Sequence, residues 1–137
     1  MPMPPPNQDK FAELAAEPDR GPVVMLNLLK FEGKVAAANE SRTPATGRGE
    51  YARYTEEARK QIERRGGRLL WQGRVRFTLI GGEEWDVVAL VQYPTARAFL
   101  EMLQDRDYQE AGKHRSAGLA DTRLIACEAI AGEWGTS

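Results

Sequence analysis

The sequence predicts an α+β fold whose main elements follow one another in the order β-α-β-β-α-β, and three observations predict it. The run Val23–Phe31 is almost continuously apolar and begins with two valines, which is typical of a central strand buried on both faces. Gly81 and Gly82 separate two further stretches of strand character, which indicates a hairpin. Stretches with apolar residues at helical spacing precede and follow these two strands.

The helices of the first half have recognisable boundaries. A short helix is expected over residues 7–17, because Pro18 follows a helical pattern there. The helix after the first strand is expected to begin at Glu50. It should end at Gly66 and Gly67, since glycine commonly terminates helices.

The helical part of the second half is predicted in two pieces. Thr95 is a suitable N-cap for the first piece, which extends to Leu103. Asp107, with a glutamate three residues later, resembles a capping box that restarts the helix at Tyr108. Gly118 is expected to end this second piece.

Three further strands are predicted from alternation and apolar content. Residues 68–80 alternate between apolar and polar, and Trp71 and Phe77 lie among the apolar side chains expected on a covered face. Residues 85–93 and 121–130 provide the other two strands.

This order of elements is that of the ferredoxin-like plait, an antiparallel sheet with both main helices on one face. The first strand is apolar on both sides, so a second copy of the chain is expected to cover the other face. The result would be a homodimer in which the two sheets pack against each other. We expect one domain over residues 21–132, an N-terminal extension with a short helix over residues 1–20, and a tail over residues 133–137. Residues 33–49 should form a long loop within the domain.

Composition and charge exclude several classes of protein. A length of 137 residues, with 42% hydrophobic and 28% charged residues, fits one ordinary soluble domain. The net charge of −1, with both signs mixed along the chain, predicts no nucleic-acid partner. The N-terminus lacks the pattern of a signal peptide, and no apolar run approaches the roughly 20 residues needed to span a bilayer, so we expect a cytoplasmic protein without membrane association. Cys127 is the single cysteine, which excludes an internal disulfide, and its place in the last strand predicts a small buried side chain.

Several stretches resemble proteins of the domain-of-unknown-function 1330 family. Residues 11–31 resemble the opening of those proteins, as does the Tyr-Ala-Arg-Tyr motif at residues 51–54, and residues 67–73 resemble their second strand. The most specific part is residues 85–125, with Tyr-Pro at 93–94, Asp-Arg-Asp-Tyr-Gln at 105–109, His-Arg at 114–115 and Asp-Thr-Arg-Leu-Ile at 121–125. The similarity covers nearly the whole chain outside the first ten residues and the 33–49 loop.

The resemblance implies a fold but not an activity. The family is similar to the dimeric α+β barrel group, which includes cofactor-free monooxygenases, haem-binding chlorite dismutase-like proteins and muconolactone isomerase-like enzymes. The family has no established common reaction, so function does not follow from membership. The sequence has one histidine and no metal-ligand spacing, so no metal or bound cofactor is expected. Haem ligation by His114 is the alternative.

Asn27 and His114 are candidate catalytic residues. Asn27 interrupts the apolar first strand, where an unpartnered buried amide costs roughly 1–3 kcal/mol. It is either a structural amide bonded to the backbone or a donor to a ligand's carbonyl or enolate oxygen, a use that asparagine has in the dimeric barrel group. Both sides of its strand are apolar, so alternation does not assign it to a face. His114 is the only histidine, and it is either an acid–base group or an exposed or helix-capping residue.

Arg115 completes the candidate catalytic set. It and Arg123 lie on either side of a predicted turn, close in sequence to Asp121. One arginine is expected to pair with that aspartate, which leaves the other to bind a ligand carboxylate through its guanidinium fork.

Tyr51, Tyr54 and Trp71 are the candidate substrate-binding residues, with aromatic filling of the core as the alternative role. Two functional hypotheses follow. In the first, the chain is a small-molecule-binding dimer, with enzymatic proton transfer, enolate stabilisation or oxygenation on a small carbonyl or aromatic compound without a cofactor. In the second, it is a non-enzymatic dimeric accessory or stress-associated protein. An open pocket containing the polar candidates would favour the first, and a cavity filled by Trp71, Phe77 and Phe99 the second.

Overall fold

The computed structural model describes residues 3–33 and 46–130, and this part of the chain forms four helices and four strands. In chain order they are α1 Gln8–Ala16, β1 Val23–Phe31, α2 Gly47–Arg64, β2 Arg68–Arg74, β3 Val87–Tyr93, α3 Ala96–Gln104, α4 Arg106–Gly118 and β4 Leu119–Cys127. The predicted order β-α-β-β-α-β is therefore confirmed, after the lead-in helix α1 and with the second crossover divided into α3 and α4. None of the described helices is long and apolar enough to cross a membrane.

The four strands form one antiparallel sheet in the order β2-β3-β1-β4. The apolar strand β1 lies in the interior of the sheet, between β3 and β4, as its composition predicts. Leu26 of β1 is opposite Leu90 on one side and Ile125 on the other, which fixes the register of the three strands.

The core lies between one face of this sheet and the helices. Val23, Met25 and Leu29 of β1 point to that face, and at most 8% of each is exposed. Tyr93, Phe99 and Met102 pack against Val23 and Met25, and Tyr54, Ala58 and Ala111 form a second cluster between α2 and α4. Asn27, two residues from Met25 and Leu29, shares their face.

Side-chain caps fix where the helices start. The Thr95 hydroxyl accepts from Ala98 N at 3.0 Å, which confirms the predicted N-cap of α3. The N-cap of α4 is Asp105 and not Asp107, because Asp105 Oδ1 accepts from the backbone N–H groups of residues 107 and 108 at 2.8 and 3.1 Å. The same oxygen accepts from Gln61 Nε2 of α2 at 3.2 Å, a contact that favours the earlier aspartate.

Two other predicted boundaries were wrong or fall in part outside the described residues. Helix α2 begins at Gly47, three residues before Glu50, because the Thr46 hydroxyl caps it through Gly49 N at 2.9 Å. Of the predicted long loop, residues 34–45 lie outside the described part of the chain, as do residues 131–137 at the C-terminal end. The predicted stop is confirmed, since α2 ends at Arg64 and Gly66 has a φ of +81°.

Strand β2 is shorter than its alternating pattern predicts. It ends at Arg74, opposite Val87, so residues 75–80 have no ladder partner in β3. Phe77, Leu79 and Ile80 are 77%, 91% and 95% exposed instead of lying on a covered face. The prediction failed because alternation reports what a strand would bury and not whether a neighbouring strand is long enough to pair with it.

The face of the sheet opposite the helices is uncovered in the single chain. The register places Trp71, Leu90, Leu26 and Ile125 opposite one another, so this apolar row crosses all four strands. Trp71 is 57% exposed and Ile125 46% exposed. We call this surface the outer face. Cys127 pairs with Val24 on it and is exposed, so the prediction of a buried cysteine was wrong for the single chain.

Candidate ligand-binding cleft

An open cleft of about 1370 Å³ lies between the helices and the core-facing side of the sheet. Residues of β1 and β3 form its floor, α2 and α4 form its roof, and the N-terminal segment around Pro4 and Pro5 also lines it. Its lining includes the polar or aromatic side chains of Asn27, Tyr51, Tyr54, Tyr108, Arg115 and Thr122.

Helical spacing brings the roof residues together. On α4, Tyr108, Gly112 and Arg115 lie four and then three residues apart, so they share one face of the helix and all line the cleft. On α2, Tyr51 and Tyr54 lie three residues apart and also line it.

The aromatic side chains of the roof form a continuous series of contacts. The ring of Tyr51 lies between those of Phe31 and Tyr54, with centroid distances of 5.5 and 5.2 Å, and the Tyr54 ring is 5.8 Å from that of Tyr108. The hydroxyl oxygens of Tyr54 and Tyr108 are 2.6 Å apart. One of these hydroxyls donates to the other, so the proton of the acceptor remains available to a further partner.

The hydroxyls of the cleft are held in the neutral form. Burial raises the pKa of Tyr51, and the neighbouring Tyr54 raises it further. Burial also raises the pKa of Tyr54 and of Tyr108. Arg115 opposes these shifts without overcoming them, so at neutral pH all three tyrosines are hydrogen-bond donors and not bases.

Arg115 brings a positive charge to this aromatic surface. Its Nη2 donates to the Thr122 hydroxyl at 3.3 Å, and its guanidinium carbon lies 5.9 Å from the centroid of the Tyr54 ring. Arg123 instead donates to Asp121 Oδ1 at 2.7 Å on the other side of the predicted turn. The sequence leaves open which of the two arginines pairs with Asp121. In the structure Arg123 does, so Arg115 is the arginine without that partner.

Asn27 lies on the core-facing side of the sheet and lines the cleft floor. Its Nδ2 is 3.3 Å from Met25 O and 3.5 Å from Ala89 O. Both neighbours are carbonyl acceptors, which orients the nitrogen toward the backbone and leaves Oδ1 as the group directed away from it. The amide nitrogen is therefore bonded to the backbone, as in the structural interpretation of this residue. In the cleft wall, the group left for a ligand is Oδ1, an acceptor and not the donor of the ligand-binding interpretation.

Two of the sequence candidates lie elsewhere. Trp71 lies on the outer face, opposite the cleft, so the expectation that its ring points to the core was wrong. A side chain on Gly73 would collide with that ring, which shows how closely it covers the strand. His114 is on α4 but does not line the cleft. Its Nδ1 is 2.7 Å from Glu50 Oε2, and 43% of its side chain is exposed.

Two cleft residues were missing from the candidate set. The Tyr108 hydroxyl meets that of Tyr54 across 54 residues of sequence, a contact that local patterns do not reveal. Gly112 lies inside a helix, where glycine costs roughly 1 kcal/mol relative to alanine. A Cβ added there would meet no atom within 4 Å. In the sequence, this glycine lies at helical spacing between Tyr108 and Arg115, and that position could have indicated open space beside the helix.

Comparisons with known proteins agree with the fold. A family model described as a domain of unknown function, DUF1330, matches residues 30–130 and confirms the resemblance seen in the sequence. The solved structure of a methylated RPA0582 protein is similar, with a TM-score of 0.85 and 38% identity over 99% of this chain and 100% of that one. A structure of the RPA0582 protein of unknown function from Rhodopseudomonas palustris gives a TM-score of 0.84 and 37% identity over 96% and 100%.

A more distant structure supports the fold alone. It is a dabb family protein with a ferredoxin-like fold from Mesorhizobium loti, with a TM-score of 0.54 and 14% identity over 82% of this chain and 100% of that one. No curated protein matches the chain.

Proposed function

We propose that this chain, which belongs to the DUF1330 family of unknown function, binds a small carbonyl or aromatic compound in the cleft between its helices and its sheet. The observation that carries the proposal is an open volume of about 1370 Å³ into which Arg115 and three neutral tyrosine hydroxyls converge. Ligand sites typically combine such a largely apolar cavity with a few polar groups.

The cavity is open and is not filled by aromatic side chains, which supports this proposal over a purely structural role. The hypothesis of a non-enzymatic accessory protein requires Trp71, Phe77 and Phe99 to fill the space. Phe99 contributes to the cleft wall, but Trp71 and Phe77 are 57% and 77% exposed and lie outside it.

The chemistry that we propose for the cleft is stabilisation of negative charge on a ligand oxygen. A guanidinium and neutral hydroxyls are suited to an enolate or a similar oxyanion, because they favour the charged form without exchanging protons at neutral pH. His114 pairs with Glu50 away from the cleft lining, so a proton transfer by this imidazole is not part of the proposal.

We further propose that the chain acts as a homodimer through the outer face. The row of Trp71, Leu90, Leu26 and Ile125 is apolar across the whole sheet, and monomeric proteins rarely expose contiguous apolar surface of that extent. A second copy is the occupant we favour, because a row that crosses the sheet can meet its own two-fold copy, and a net charge of −1 opposes self-association little. The cleft opens on the opposite side of the sheet, so dimerisation would leave it accessible.

Titration with acetophenone, followed by amide NMR shifts, tests the proposed binding. We expect saturable shifts at residues of the cleft, including Asn27 and Arg115. The matched control is Gly112→Phe, which places a ring in open space and removes a helix glycine, so it should block binding while leaving thermal stability equal or higher. Shifts confined to the outer face, or binding unaffected by Gly112→Phe, would contradict the proposal.

A further inference from the structure

The charge of Arg115 is not balanced by a carboxylate from the described residues. No acidic side chain in that part of the chain lies within 4.0 Å of its guanidinium, whereas Arg65 has Glu101 and Asp105, and Arg123 has Asp121. The Arg115 side chain is partly buried, and arginine cannot release its proton. A guanidinium in such a position is stabilised by an anion.

The other cations of the cleft do not share this position. Lys10, Arg59 and Arg68 also line the cleft but are exposed, so water solvates them. Arg123 lines it too, but Asp121 balances its charge. Arg115 instead lies against the Tyr54 ring and the Thr122 hydroxyl, within the roof of the cleft.

The hydroxyls around Arg115 are donors of the kind that a carboxylate accepts. Burial keeps Tyr51, Tyr54 and Tyr108 protonated, and the Tyr54–Tyr108 pair retains one proton for a further acceptor. A carboxylate can accept about four hydrogen bonds, so it can use the guanidinium fork and tyrosine hydroxyls together.

The register of the sheet places Asn27 on the floor of the cleft, farther along β1 than the residue opposite Thr122. Thr122, the partner of Arg115, is opposite Leu29 in β1, and Asn27 lies two residues from Leu29 on the same face. Two strand residues span roughly 7 Å. Asn27 Oδ1 is an acceptor, because the nitrogen of this amide faces two backbone carbonyls. A ligand that reaches both ends therefore needs an anion at one end and a donor at the other.

We infer that the cleft takes aromatic monocarboxylates that carry a hydroxyl or amine at the far end of the ring, with the carboxylate on Arg115 and the donor on Asn27. The inference rests on the proposed function, since it specifies the ligand class of the same cleft. A para-substituted benzene ring fits between the two ends, because it separates its substituents by a length comparable to the spacing along β1 and its faces suit the aromatic and apolar walls.

The test compares two near-isosteric probes, 4-hydroxyphenylacetate and 4-hydroxyphenylacetamide, by calorimetric titration at neutral pH. The full chain should bind the carboxylate at least roughly tenfold more tightly than the amide, as charge-assisted hydrogen bonds predict. Arg115→Met should remove that preference. Arg106→Met, which removes an exposed arginine from the same helix outside the cleft, should keep it.

A third probe tests the far end. Phenylacetate lacks the hydroxyl and should bind more weakly than 4-hydroxyphenylacetate to the unmodified chain, and Asn27→Ala should reduce this difference. An equal affinity of the unmodified chain for the carboxylate and the amide would overturn the inference, and this comparison does not depend on the folding of any variant. If the carboxylate and the amide bound the unmodified chain equally well and neither bound Gly112→Phe, the proposed cleft would stand and the ligand class alone would be wrong. No binding of any probe would overturn both.

Discussion

At the scale of single residues, the tyrosines give the cleft its chemical character. The sequence has four tyrosines, and burial raises the pKa of every one of their hydroxyls. Three of them line the cleft roof, and the fourth, Tyr93, lies in the core beside Phe99, with ring centroids 5.1 Å apart. The cleft can therefore offer hydroxyl donors to a ligand without acquiring negative charge of its own.

These raised pKa values predict how stability changes at alkaline pH. Below about pH 10, the tyrosines are protonated in both the folded and the unfolded chain, and their contribution to the free energy of unfolding is fully present. As the pH rises above about 10, the unfolded chain releases protons that the folded chain retains, so the free energy of unfolding should fall. Urea unfolding at a series of pH values measures this fall, and Tyr93→Phe, which removes one titrating group, should make it shallower. Tyrosinate absorbance that appears at its ordinary pH while the protein is still folded would contradict the prediction.

The sequence identified several cleft residues but not their arrangement. Tyr51, Tyr54 and Arg115 could be selected because buried aromatic and charged side chains need partners, and all three line the cleft. The face of Asn27 could not be predicted, since its strand is apolar on both sides. The position of His114 depends on Glu50, which is 64 residues away in the sequence and reaches it only once α2 packs against α4.

At the scale of elements, the start of α4 determines where the cleft roof lies. Asp105 Oδ1 accepts from two backbone N–H groups of α4 and from Gln61 Nε2 of α2, so one carboxylate fixes both the beginning of the helix and its attachment to its neighbour. Gln61 is 0% exposed. Tyr108 is three residues after this cap, and its orientation toward Tyr54 follows from it.

Removal of the cap should destabilise the protein. Asp105→Ala removes the acceptor of two helix N–H groups, which costs about 1 kcal/mol, and it also takes an acceptor from the buried Gln61 amide, so the total loss should exceed that value. Asp105→Asn retains a side-chain oxygen and should recover most of the stability. Urea unfolding measures the differences, with Thr95→Ala at the cap of α3 as the matched control, since Thr95 caps one helix without a second buried partner. A loss for Asp105→Ala no larger than that for Thr95→Ala would contradict this role.

Local sequence patterns predict some of the elements and helix caps correctly but not others. The central strand and the Thr95 cap could be predicted because their causes lie within a few residues. The choice of Asp105 over Asp107 could not, because both aspartates can cap a helix and the contact with Gln61 comes from another element. The overlong prediction for β2 has the same origin, since its end at Arg74 is set by the start of β3 at Val87.

At the scale of the whole molecule, the sheet separates two surfaces with different proposed roles. The core-facing side carries the cleft, and the outer face carries the apolar row of Trp71, Leu90, Leu26 and Ile125. Trp71 is the substrate-binding candidate that the structure places on the outer face, so we propose a role for it in association between chains and not in ligand binding. The exposed Cys127 would be covered in the same dimer.

Trp71→Asp should prevent dimerisation, because it places an unpaired charge in the centre of an apolar interface. Light scattering after size exclusion should give twice the 15.3 kDa chain mass for the unmodified protein and a single chain mass for the variant. Ala52→Asp introduces the same charge on the exposed side of α2 and should leave the dimer intact. A monomeric unmodified chain, or a Trp71→Asp variant that remains dimeric, would contradict the proposed interface.

The most direct test of the cleft as a ligand-binding site is a crystal structure of the full chain soaked with 4-hydroxyphenylacetate. We predict the ring in the cleft between β1 and α4, with the carboxylate within hydrogen-bonding distance of the Arg115 guanidinium and the phenolic hydroxyl toward Asn27 Oδ1. A ligand bound only to the outer face, or a cleft without ligand at saturating concentration, would contradict the assignment of the cleft as the functional site.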